Sequence, residues 1–143
     1  MRFVIFLLLT ALPAKAWEFS TEGTVCLLTH DGSDAAVRVS YVPGLARYGI
    51  TITRRSGAWI DAPVFALRFS GVRDLTISTD RHSYSDAGRA LTVTDRGFGN
   101  VLNGLEFNDT ATAILGADEI NVSLAGAAPE VRKFRDCTMA PAV

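Results

Sequence analysis

Apolar residues recur at every second position in several short runs of this chain, and that period constrains its fold more than anything else. Val37, Val39 and Tyr41 alternate with Arg38 and Ser40; Tyr48, Ile50 and Ile52 alternate with Gly49, Thr51 and Thr53. Phe65, Leu67 and Phe69 alternate with Ala66 and Arg68. A period of two sends successive side chains to opposite faces, so each run predicts a strand with one buried face. Residues 24–29 are apolar on both faces and predict a central or sandwiched strand. The segment that follows, His30-Asp31-Gly32-Ser33-Asp34, carries the Asp-Gly signal of a hairpin. Pro43-Gly44 and residues 54–57 end the next two strands, and Pro63 keeps Ala62 extended in a link over residues 59–63. Beyond the turn at 70–74, Leu75-Thr76-Ile77-Ser78-Thr79 and Leu91-Thr92-Val93-Thr94 predict two more strands, joined by a polar loop over residues 80–89. These two runs resemble one another. If they pair as a hairpin, their Thr-Asp-Arg ends fall at opposite ends of the ladder.

The closing stretch, 98–137, changes period. Phe98, Val101, Leu102 and Leu105 fall at i, i+3, i+4 and i+7, one face of a helix. Gly97 and Gly99 let the chain leave the preceding strand, and Asn100 or Asp95 is positioned to cap the helix. Thr112-Ala113-Ile114-Leu115 and Ile120-Asn121-Val122-Ser123-Leu124 flank Gly116-Ala117-Asp118-Glu119 as a hairpin. A second helix starts near Pro129, and its Val131, Phe134 and Cys137 share a face. The fold expected is mainly β: an antiparallel β-sandwich or small barrel of about eight strands, with two short helices near the C-terminus. Trp17, Phe19 and Trp59 are expected in the core or at its rim.

The first sixteen residues read as an export signal: Arg2, an apolar run from Phe3 to Leu9, and Ala14-Lys15-Ala16 as a cleavage site before Trp17. Thr10, Pro13 and Lys15 interrupt the run too early for a membrane anchor, which needs about 20 apolar residues. Domain organisation is therefore a signal peptide over 1–16, a single β-rich domain over 17–137 and a flexible tail over 138–143. Two of the 14 lysines and arginines leave with the signal, so 12 remain against 15 acidic residues, a net charge of −3. Nucleic-acid and anionic-membrane partners normally call for a basic cluster, and the chain has none. In an exported, periplasmic protein the only two cysteines, Cys26 and Cys137, are expected to form a disulfide. With His30 and His82 they lack the paired close spacings of a zinc site, so no metal and no cofactor is expected.

Asp80-Arg81-His82-Ser83-Tyr84-Ser85-Asp86 is the densest polar cluster. It holds the residue types of a hydrolase, but a nucleophile, base and orienting acid usually come from distant parts of a fold. No Gly-x-Ser-x-Gly elbow occurs, and no phosphate loop either: Gly97, Gly99 and Gly104 match neither glycine fingerprint. His30 reaches His82 only if tertiary contact brings them together. The 80–89 segment reads instead as a contact surface, with Arg81, His82, Tyr84 and Arg89 crowded into ten residues.

From Phe65 to Cys137, including Leu75-Thr76-Ile77-Ser78-Thr79-Asp80-Arg81-His82 and Asp95-Arg96-Gly97-Phe98-Gly99-Asn100-Val101-Leu102, the chain resembles a group of small, uncharacterised secreted proteins of Gram-negative bacteria. Some of these go by the name of a component of the ABC excinuclease. The chain argues against that name: it has no phosphate loop, no basic surface and no room for helicase domains. Its last forty or so residues are also similar to periplasmic β-sandwiches of the invasion-associated locus B type, although the cysteine pattern departs from theirs. The resemblance implies a periplasmic protein. The function expected is a non-enzymatic module that binds a protein or cell-envelope component, without stable membrane insertion. The alternative is a small periplasmic hydrolase using His82 with a distant serine or aspartate.

Overall fold

The computed structural model describes residues 16–140. The signal expected over 1–16 lies outside the described residues except for Ala16, as do 141–143 of the expected tail. Two antiparallel sheets carry the fold. One has six strands in the order β1 (Glu18–Glu22), β2 (Val25–Asp31), β3 (Ala35–Val42), β4 (Arg47–Arg54), β8 (Ala90–Asp95) and β7 (His82–Ser85). The other has four, in the order β10 (Asp118–Ser123), β9 (Asn108–Leu115), β5 (Phe65–Gly71) and β6 (Leu75–Thr79). The sheets face one another and neither closes on itself, so the fold is a sandwich and not a barrel.

The alternating runs dictate which residues meet between the sheets. On the inner face of the larger sheet, register aligns Val93, Ile50, Val39 and Leu28 in one row, ending on His82 and Phe19 at the edges. The neighbouring row is Tyr84, Leu91, Ile52, Val37 and His30. The smaller sheet answers with Phe65, Leu67 and Phe69 on β5, flanked by Leu115, Ala113 and Ala111 on β9. Phe65, Phe69, Leu28, Ile52, Leu91 and Leu115 are all fully buried. Each such side chain contributes roughly 1.5–3 kcal/mol by leaving water.

Four strands cannot cover six, and the helices fill the difference. A third inner row of the larger sheet, Asp95, Tyr48, Tyr41 and Cys26, lies beyond the smaller sheet. Phe98, which precedes α1 (Gly99–Phe107), stacks on Tyr48 with ring centroids 5.4 Å apart. On α2 (Ala127–Met139), Phe134 is fully buried beside the same tyrosine, and Cys137 forms a disulfide with Cys26, with Cα atoms 6.1 Å apart. Glu130 on α2 accepts the amide of Phe19 at 3.1 Å, tying β1 to the helix. α2 runs through Thr138 and Met139, two residues past the domain boundary read from sequence.

The strand count and the 80–89 segment differ from the sequence reading. Among the described residues ten strands form where about eight were expected, the additions being β1 and β7, the two edges of the larger sheet. The segment at 80–89 is therefore not a loop: it holds β7 and a tight turn into β8. The similar runs of β6 and β8 do not pair with each other. β6 pairs with β5 and β8 with β4, in different sheets.

Candidate functional site

The sandwich is open on one side. β6 is one edge of the smaller sheet, and the chain crosses from it to β7, one edge of the larger, through Asp80 and Arg81. β6 turns Leu75, Ile77 and Thr79 inward, yet all three are only half-buried, because no further strand of the smaller sheet covers them. Beside them lies a cleft of about 440 Å³. Its walls are apolar: Ile50 and Val93 from the larger sheet, Phe65, Leu67 and Ile77 from the smaller. Phe98 and Val101 close its end at the start of α1, and polar groups, among them Thr79, Arg81, Asp95 and Asn100, share its lining.

The start of α1 differs from expectation in a way that matters here. Neither Asn100 nor Asp95 caps the helix. The N-cap is Phe98, with no side-chain hydrogen bond and no acidic residue in the first turn. Asp95 accepts the amide of its neighbour Arg96 at 2.7 Å instead. Phe98 takes the cap position because its ring is drawn onto Tyr48, and that burial outweighs a capping bond of about 1 kcal/mol.

The four residues singled out at 81–89 take separate places. Pairing with β8 turns His82 and Tyr84 inward. His82 Nε2 bonds the carbonyl of Ala62 at 2.9 Å, and its ring lies edge-on to Tyr84 and near Phe65. The hydroxyl of Tyr84 accepts the Ala62 amide at 3.4 Å. Both side chains thus anchor the 59–64 link over the sheet edge. Arg89 is exposed and donates to the Arg54 carbonyl at 3.3 Å, with Asp86 at 3.9 Å. Arg81 alone of the four lines the cleft.

No arrangement for nucleophilic catalysis forms around His82. Among the described residues no serine hydroxyl or carboxylate bonds its ring, and its Nδ1 is buried without a partner. His30 is far away, with β3, β4 and β8 between the two histidine-bearing strands, roughly 19 Å at the usual strand spacing. It stacks on Trp17 at 4.8 Å, and burial pushes its pKa below the ordinary value against the raising effect of Asp31. Trp17 and Trp59 are both core residues, with indole N–H groups satisfied by the carbonyls of Ser123 and Ile52. No group of three or more potential metal ligands comes together among the described residues.

Comparison with family models, curated proteins and solved structures gave no match for this chain. The cleft is therefore interpreted from its own geometry. Sequence patterning placed Ile77 and Val93 in strands and Phe98 on one face of a helix, but could not separate a wall from a packed core. The weak signal was β6 itself, where threonines and a serine separate Leu75 from Ile77 and follow it.

Proposed function

We propose that this chain is an exported, non-enzymatic binding module of the periplasm that holds a cell-envelope component through an apolar portion seated in the inter-sheet cleft. The observation that carries this reading is the cleft: about 440 Å³, lined by a majority of apolar surface together with a few polar groups. Ligand sites typically occupy about 300–1,000 Å³ and have that same division of labour. The export reading draws on the signal-like first sixteen residues and on the Cys26–Cys137 disulfide, a bond favoured outside the cytosol. No helix among the described residues is long and apolar enough to cross a membrane, in keeping with release from the bilayer after cleavage.

The test is saturable binding of a neutral, environment-sensitive apolar probe such as N-phenyl-1-naphthylamine to the exported protein. Fluorescence rises on binding to wild type, and Val93→Trp, which fills the cleft from its half-buried wall, weakens binding by about tenfold or more. Ile77→Asn on the edge strand checks the opposite wall if the tryptophan disturbs folding, with melting temperature followed for both. A wild type that shows no enhancement, or folded variants that bind as well as wild type, would contradict the reading.

A further inference from the structure

We infer that the occupant is a single-chain carboxylate amphiphile, a free fatty acid, with its acyl chain between the sheets and its carboxylate at Arg81. The inference rests on the binding-cleft reading and adds the ligand's class. Charge is what selects it. Arg81 is the one lysine or arginine in the cleft lining. Its guanidinium makes no ion pair or hydrogen bond with any described residue, whereas Arg38, Arg54, Arg55 and Arg135 are each paired with a carboxylate. The backbone holds it in place: the Arg81 amide donates to the Thr79 hydroxyl at 3.1 Å, fixing the crossing between the two sheets at which it sits. The first residues of α1 line the same space, uncapped and without an acid, and they add positive potential of the same sign. Asp95 opposes them as the one acid in the lining, with one carboxylate oxygen already engaged by the Arg96 amide.

Head group and tail follow from these features. One free guanidinium matches one planar carboxylate through two parallel hydrogen bonds. Half-buried Ile77 and Val93, lying over buried Phe65 and Leu67, offer an alkyl chain apolar contact within a lining that also holds Thr79 and Asn100. A volume near the low end of the usual range for ligand sites suits one chain better than two.

The experiment measures displacement of the neutral probe from the exported protein by decanoate, decanol, decylamine and decyl phosphate, at low salt and below their aggregation concentrations. Decanoate is expected to bind about tenfold more tightly than decanol, the usual size of a charge-assisted hydrogen bond, with decylamine weakest. Arg81→Gln brings decanoate down to the level of decanol, and Asp95→Asn raises decanoate affinity severalfold. Decanoate no better than decanol in wild type, or its advantage surviving in Arg81→Gln, would overturn the carboxylate assignment while leaving the cleft reading intact. Tighter binding of decyl phosphate than decanoate would overturn it in favour of a phosphate head. Failure of the neutral probe to bind at all would remove the cleft reading itself.

Discussion

Gly104 sits in the middle of α1 because nothing larger fits there. A Cβ at this position would overlap the ring of Phe69, which is fully buried on β5. Alanine is the better helix former by about 1 kcal/mol. Overfilling a packed core costs about 1–3 kcal/mol, and a ring held on all sides has no room to withdraw. The second effect should win, so Gly104→Ala is expected to lower the melting temperature; an increase would mean that Phe69 can move. The neighbouring Asn108 is buried for a related reason. Its side chain donates to the Gly104 carbonyl at 3.1 Å and accepts the Arg73 amide at 3.0 Å, fastening the end of α1 to the β5–β6 turn. The helix face of Phe98, Val101, Leu102 and Leu105 was legible in the sequence, and all four are buried. The need for glycine at 104 was not, since it depends on a ring thirty-five positions earlier in the chain. His82 and Tyr84 were misplaced for a similar reason: polar-tipped rings in a polar run look solvated until a strand pairing turns them inward.

At the scale of elements, strands paired on both sides were readable, as were β6 and β10 at the edges of the smaller sheet, whereas β1 and β7 at the edges of the larger sheet were not. β3, β4 and β5 each lie between two neighbours and show clear alternation. β1 reads Glu-Phe-Ser-Thr-Glu and β7 His-Ser-Tyr-Ser, and each edge contributes few apolar groups to the core. Polar edges of this kind also discourage pairing with other chains. β1 is held from another direction, through Glu130 on α2. Lys133 at 3.1 Å, and then the Phe19 amide, keep the Glu130 carboxyl below the usual carboxylate range, with burial opposing them. A depressed carboxyl pKa gives stability that is complete above the unfolded value, about 4.3, and is lost as pH falls through the folded one. Glu130→Gln should therefore flatten the acid side of the melting-temperature profile below about pH 4. Parallel profiles for the two proteins would show that the carboxylate contributes nothing to the tie.

For the whole molecule, Cys26 and Cys137 join the second strand to the last helix across 111 residues. On the chain-entropy model a loop of that size is worth about 4–5 kcal/mol, comparable with the net stability of many domains. Reductant should accordingly lower the melting temperature by on the order of 10 °C or more, and Cys26→Ser should abolish any response to reductant. Identical melting with and without reductant would place the stability elsewhere. The two cysteines and the strand-rich pattern made this frame legible, but not the cleft. That opening exists because a four-stranded sheet faces a six-stranded one and the helices cover one end of the difference, a matter of how separate layers sit together. The most direct measurement of its role is a backbone-amide NMR titration of the folded, oxidised protein with the neutral apolar probe. Saturable shifts should concentrate on residues 77–81 and 93–101, the two stretches that frame the cleft. Shifts scattered over the outer face of the larger sheet, or none at saturating probe, would contradict a binding role for the cleft.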